Sequence, residues 1–219
     1  MPIRVLIADD QEVVRRGMRR ILDSQADIEV VAEAADGLAA LEQADRVRPD
    51  VALLDVRMPG LDGLEVTRRL AGPDARTPVK VVVVTTFDLD EYVYPALRNG
   101  ASGFLLKKSG PVLLVEAVRA AVNGDTLISP SITVRLLRQV VDTRPEPRAP
   151  LEPLTGREVE VAGKVAEGLT NADIGAELFI GAGTVKTHVA AIQRKLGVRN
   201  RVGIALWAHE MGCSGKLPS

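Results

Sequence analysis

Two hydrophobic periods alternate along residues 3–122. Short runs rich in β-branched and aliphatic residues occur at Ile3–Ala8, Ile28–Ala32, Val51–Leu54, Val79–Val84 and Gly103–Leu106. Between them the apolar positions recur with helical spacing at Val13–Leu22, Leu38–Ala44, Leu64–Leu70, Glu91–Leu97 and Val112–Val122. The run Val81–Val84 is apolar at every position, as a parallel strand covered by helices on both faces must be. Five such strands with helices between them predict a doubly wound α/β domain on a five-stranded parallel sheet. Pro95 falls inside the fourth helix, where a missing N–H should kink or shorten it.

The pattern then changes. A further helix is predicted at about Ser131–Val141. From Asp142 to Pro153 almost nothing is apolar, and Pro145, Pro147, Pro150 and Pro153 fall within nine residues. Each proline removes a donor and pushes the preceding residue toward extended backbone, so this segment reads as a semi-rigid linker. Four helices follow, at Thr155–Glu167, Asn171–Leu178, Thr184–Leu196 and Arg201–Met211. Leu154, Val161, Val165, Ile174, Leu178, Val185, Val189, Ile192, Leu196, Ile204 and Leu206 are spaced to form one core between them. The organisation is therefore a domain over 1–122, a helix and linker over 123–153, and a small all-α domain over 154–219.

Composition narrows the function. With 46% hydrophobic and 26% charged residues the chain is an ordinary globular protein rather than a disordered one. One cysteine, Cys213, excludes a disulfide framework and a cysteine-rich zinc site, and two histidines make an imidazole metal centre a poor fit. No apolar run approaches the roughly 18 residues a membrane helix needs, and a cytoplasmic location is expected. The net charge of -1 conceals an asymmetry. Arg157–Glu177 carries two basic and five acidic residues. Thr184–Ile204 carries Lys186, Arg194, Lys195, Arg199 and Arg201 with no acid. A basic helix after a shorter helix and a tight turn, here Phe179–Gly183, is the arrangement that enters a DNA major groove.

Chemistry collects at the strand ends, where open α/β sheets place their crevices. Asp9 and Asp10 end the first strand, Asp55 the third, Thr85 the fourth and Lys107 the fifth. Any one of these could merely cap a helix or meet water. Three converging carboxylates, however, need a cation, and hard oxygen ligands suit Mg²⁺. A hydroxyl and an ammonium group beside them match a phosphoryl group, while no nucleotide-cradling glycine loop is present. A carboxylate that itself accepts a phosphoryl group fits that set.

The segment from Asp50 through Asp55-Val-Arg-Met-Pro-Gly to Gly63, with Asp9-Asp10, Thr85-Thr86 and the run from Gly100 to Lys107, resembles the receiver domain of bacterial two-component response regulators. The resemblance implies that Asp55 is the phosphoacceptor. It implies that Asp9, Asp10, Asp55 and the main-chain carbonyl of Arg57 hold Mg²⁺. Thr85 and Lys107 would contact the phosphoryl group, and Phe104 would be the aromatic that reorients on activation. Further on, the run from Leu154 to Glu158, Glu167–Gly175, Thr184-Val-Lys-Thr-His-Val189 and Arg194–Arg201 are similar to the LuxR-type helix-turn-helix domain. Together they resemble the NarL/FixJ class of regulators. That likeness implies DNA contacts from Thr184, Val185, Lys186 and His188, backbone contacts from Asn171 and Lys195, and dimerisation through Val202, Ile204, Ala205 and Leu206. Double-stranded DNA, a sensor histidine kinase and a second copy on activation are the implied partners.

Departures from the family pattern carry an expectation of their own. Gly181 replaces the usual serine cap of the recognition helix, at little cost. Ala162, Gly163 and Gly175 replace larger residues, and a helix-interior glycine costs about 1 kcal/mol, which predicts a helical domain of low intrinsic stability. Two other functions share some of these features. One is a phosphorylation-independent regulator whose receiver is a dimerisation or protein-interaction module; the complete acidic pocket counts against it. The other is a hydrolase using Asp55 and Mg²⁺, which lacks a substrate-covering cap and leaves the basic helices unexplained. A regulator rather than an enzyme is the reading that uses the whole chain.

Overall fold

Strands that are apolar on both faces have to be covered on both, and parallel strands need crossovers long enough to hold a helix. The computed structural model, which describes residues 1–72, 75, 78–86, 90–129 and 150–213, satisfies both demands in the first of two compact units. Its elements are β1 (Ile3–Ala8), α1 (Glu12–Asp23), β2 (Ile28–Ala34), α2 (Gly37–Val47), β3 (Val51–Leu54), α3 (Gly63–Ala71), β4 (Lys80–Thr85), α4 (Asp90–Arg98), β5 (Gly103–Leu106), α5 (Pro111–Asn123) and β6 (Leu127–Ile128). All neighbours pair in parallel, in the order β2-β1-β3-β4-β5-β6. Val5, Ile7, Val51, Leu53, Val82, Val84 and Leu105 face α1 and α5 in one continuous core. The alternate positions Leu6, Ala52, Leu54 and Val83 are equally buried on the side of α2, α3 and α4.

The sheet has six strands, not the expected five. The sixth is two residues long, paired Gly103 to Leu127 and Phe104 to Ile128, too short for any periodicity to announce it. The fourth helix runs through Pro95 and ends three residues later at Arg98. The helix expected at Ser131–Val141, and the linker as far as residue 149, lie outside the described residues.

The second unit contains α6 (Gly156–Ala166), α7 (Asn171–Leu178), α8 (Ala182–Leu196) and α9 (Arg201–Glu210). Side chains close three of the four N-termini. Thr155 and Glu158 form a reciprocal capping box on α6, Thr170 and Asp173 do the same on α7, and Asn200 caps α9. Gly181 caps α8 with backbone alone. Val161, Ala162, Val165, Ile174, Val185, Val189, Ile192, Ile204 and Ala208 make the core, with Leu154, Leu178, Leu196 and Trp207 packed against it. Leu206, expected there, is instead 38% exposed.

Glu158 does more than cap. Its Oε2 accepts from the Thr155 N–H at 2.7 Å and hydroxyl at 3.0 Å, and from Lys195 Nζ at 2.7 Å. Burial would raise this carboxyl, but the Lys195 ammonium and the Thr155 donors outweigh it and bring it down from the usual 4.5 to about 2. One ion pair thereby ties the first turn of α6 to the last turn of α8.

The glycines of α6 and α7 also have a role that their position in a helix hides. A Cβ at Gly163 would lie 2.7 Å from the Cys213 carbonyl oxygen, and one at Gly175 would lie 2.7 Å from that of Ile180. Backbone passes where a side chain would stand, so the expected penalty relative to alanine does not apply at these sites. We therefore expect Gly163→Ala to lower the melting temperature of the helical unit, since overpacking costs about 1–3 kcal/mol against the roughly 1 kcal/mol gained in an open helix. The chain's one tryptophan, Trp207, reports that transition alone by fluorescence. A raised melting temperature would contradict the close approach. For Glu158 the folded value lies below the unfolded one, so its stabilisation is complete above about pH 4.5 and is lost as pH falls toward about 2. Glu158→Gln should destabilise the unit at neutral pH and remove much of its stability change across that window, read by the same fluorescence.

Candidate functional site

The strand order reverses between β1 and β3, because the chain runs outward from β1 to β2 and then returns to the other side. Residues following those two strands therefore border an open crevice. Asp9 and Asp10 stand there after β1, and Asp55 after β3. The Asp55 N–H donates to the Ala8 carbonyl at 2.8 Å, which carries the ladder one residue past the strands and sets the two acidic segments side by side. One oxygen from each of Asp9, Asp10 and Asp55 lies within 4.8 Å of the others. Asp9 and Asp55 are buried and Asp10 is exposed.

From the other side Lys107 reaches in. Its backbone N–H donates to the Thr85 carbonyl at 2.8 Å, fixing the turn after β5 against the end of β4. Its Nζ lies 2.6 Å from Asp9 Oδ2 and 2.9 Å from Asp55 Oδ2. The remaining oxygens are held by amides: Asp55 Oδ1 by Val56 N–H at 2.7 Å, and Asp9 Oδ1 by Gln11 N–H at 3.0 Å. Burial raises the Asp9 carboxyl above its usual value despite Lys107. Lys107 is itself raised: burial opposes its charge, and the two carboxylates more than offset it. Asp9 Oδ2 makes no hydrogen bond of regular geometry even with Lys107 so near. One ammonium group facing three carboxylates leaves an excess of negative charge, and the oxygen set fits a hard divalent cation. Thr85, at the end of β4, is fully buried, as is Phe104 within β5.

Composition and spacing did not single out three further contributors. Gly63 begins α3 where a Cβ would sit 1.8 Å from the Asp55 carbonyl oxygen, so any side chain there displaces the Asp55 backbone. Arg15 donates to the Asp9 carbonyl at 2.7 Å. Arg57, whose side chain is exposed, donates to the Tyr92 hydroxyl at 2.8 Å and stacks over that ring, tying the loop after Asp55 to α4. Gly63 left a trace as the last residue of an acidic, glycine-rich turn, and Arg57 was expected only through its main-chain carbonyl.

The helical unit sorts its candidate DNA residues into two groups. Thr184 and Lys186 are exposed on the first turns of α8, and His188 is half-buried beside them. Val185 is not on that face. It is completely buried with Val189 and Ile192, because the helical period turns positions 185, 189 and 192 toward the core. Lys195 is held by Glu158 with its side chain only 14% exposed, and Arg194 pairs with Glu152 at 2.7 Å. Asn171 is buried, its Oδ1 accepting from Arg201 at 2.7 Å. Both side chains are thus engaged by partners within the helical unit. Of the four dimerisation candidates, Ile204 belongs to the unit's own core, while Val202 and Ala205 are partly exposed and Leu206 is exposed.

Among the described residues no helix is long and apolar enough to cross a membrane. Comparison with known proteins accords with both units. The family model of the response regulator receiver domain matches residues 5–119, and that of the bacterial regulatory proteins of the luxR family matches residues 152–208. The chain is 41% identical over 207 residues to the transcriptional regulatory protein LiaR of Bacillus subtilis, covering 94% of this chain and 97% of that one. It is 36% identical to the oxygen regulatory protein NreC of Staphylococcus aureus, covering 94% and 96%. Among solved structures, the response regulator ChrA of a heme-sensing two-component system aligns over 97% of this chain and 98% of its own, at 38% identity and a TM-score of 0.53. Two family models, one on each unit, and relatives matched over nearly full length agree with this architecture, and the chain belongs to the two-component response regulators of the NarL/FixJ class.

Proposed function

We propose that the chain is a cytoplasmic, sequence-specific DNA-binding regulator of transcription, controlled by a phosphoryl group that Asp55 accepts from a sensor histidine kinase. The observation that carries this reading is the position of Lys107 Nζ, shared between Asp9 and Asp55 in a crevice still rich in negative charge. An Asp55 oxygen attacks phosphorus, the bond from phosphorus to the kinase imidazole breaks, and its electron pair stays on the departing nitrogen. Asp9, Asp10, Asp55 and the Arg57 carbonyl would hold Mg²⁺, which when bound offsets the charge of the carboxylates and of the incoming phosphoryl oxygens. Lys107 and the Thr85 hydroxyl meet the new dianion. Their movement toward it frees space for Phe104 to change its packing, so that a local charge biases a two-state element.

Output lies with α8. Thr184, Lys186 and His188 form the face offered to double-stranded DNA, with Lys186 reaching a phosphate or a guanine edge. Two copies, joined through the partly exposed Val202 and Ala205 and the exposed Leu206 of α9, would place two such helices on half-sites about one helical turn apart. The designation of LiaR as a transcriptional regulatory protein is in keeping with this role.

Incubation with acetyl phosphate and Mg²⁺ should add one phosphoryl group to the wild type and none to Asp55→Asn, measured by intact mass. Uptake by both would move the chemistry to another residue. On a duplex selected with the phosphorylated protein, Lys186→Ala should weaken binding and reduce the slope of log affinity against log salt by about one. An unchanged slope and affinity would remove Lys186 from the interface.

A further inference from the structure

The turn that carries Lys107 is closed by a residue 22 positions further along the chain. β5 ends at Leu106, and the next three residues must bend sharply before α5 begins at Pro111. The Ser109 N–H donates to the Leu106 carbonyl at 2.8 Å, a tight turn by itself. The Leu106 N–H is shared between two hydroxyls, Ser109 Oγ at 3.2 Å and Ser129 Oγ at 3.1 Å, and those two oxygens lie 2.8 Å apart. Ser129 is 2% exposed. Its own N–H donates to the Phe104 carbonyl at 2.9 Å, extending the β5–β6 ladder by one bond. Ser129 therefore touches the backbone of the switch aromatic and, through its hydroxyl, the turn bearing the lysine that holds Asp9 and Asp55.

We infer that the paired hydroxyls of Ser109 and Ser129 couple the state of the Asp55 crevice to the chain that leaves the receiver domain. The inference rests on the reading of Asp55 as phosphoacceptor. Closing the edge of the sheet requires only the Ser129 N–H; the hydroxyl contact goes to the turn instead. A donor shared between two acceptors is sensitive to displacement, since moving toward one weakens the bond to the other. When a dianion on Asp55 draws Lys107 away from Asp9, the Leu106–Ser109 turn shifts and the shared N–H must redistribute between the two oxygens. Ser129 feels that change directly, and the next residue, Pro130, begins the sequence leading to the helical domain. Both serines are positioning residues, with no contact to the phosphoryl group.

The test uses the full-length wild type, Ser109→Ala, Ser129→Ala and the double variant. Each is treated with acetyl phosphate and Mg²⁺, checked by intact mass and thermal melting, and titrated before and after treatment onto a duplex selected from a random library with phosphorylated wild type. All four should gain one phosphoryl group. Allosteric coupling typically amounts to about 5–150-fold in affinity, and the wild-type gain in that range should fall below about threefold in each single variant, with the double variant no worse than either. A single variant that keeps the full gain overturns the coupling, whatever its melting temperature, and leaves the hydroxyls as a structural clasp. Should Ser129→Ala fail to fold, Ser109→Ala on the partly exposed turn decides the matter by the same criterion. A wild type that takes up phosphoryl without any gain in DNA affinity removes phosphorylation control itself, and the coupling falls with it. A wild type that takes up none overturns the phosphoacceptor reading first.

Discussion

Two buried carboxylates cannot share a crevice without a cation, and in this protein Lys107 supplies it. Its ammonium group stands within 3 Å of both Asp9 and Asp55, which sit on strands that are neighbours only because the order of the sheet reverses at that point. The arrangement propagates outward. Asp55 is placed by a ladder bond to Ala8, its backbone is kept clear by Gly63, and Lys107 is held to β4 through Thr85. Removing one partner from such a set leaves charge buried and unmatched, at a cost of roughly 3–5 kcal/mol. The resting crevice is therefore held together by a group that, on the proposed function, has a second use for its charge.

A lysine and buried acid recur in the helical unit with the opposite outcome. Lys195 and Glu158 are matched one to one, and two Thr155 donors satisfy the same carboxylate oxygen. The charges balance, and the pair clamps α6 to α8. The number of charges, more than their burial, separates the reactive cluster from the structural one. Three carboxylates with one ammonium invite a further cation, whereas one with one does not.

How much of this was legible in the sequence depended on the range of the interaction. Strands apolar on both faces and helices with a clear period appear within a residue or two of their predicted ends, except α2, which runs three residues further to Val47, and the strand-end position of Asp9, Asp55, Thr85 and Lys107 followed from them. β6 was invisible because two residues carry no period; its pairing is dictated by the neighbouring strand. The pairing of Lys195 with Glu158 was hidden because the two lie 37 residues apart on different helices. Gly163 looked like a defect because the chain that occupies its missing side chain returns only at Cys213. Val185 was pulled two ways, toward the core by its spacing from Val189 and Ile192 and toward DNA by family likeness, and the spacing prevailed.

That last outcome divides α8 lengthwise. Positions 185, 189 and 192 hold the unit together, while 184, 186, 187 and 190 are exposed and support no part of the core. The second set lies outside the core, so if α8 reads DNA as proposed, a duplicated copy could be retargeted to new promoters through surface codons while the packing residues stay fixed. The first set is closed to that kind of drift. On that reading, inheritance of the scaffold and divergence of its genomic address would fall on interleaved residues of the same fifteen-residue helix.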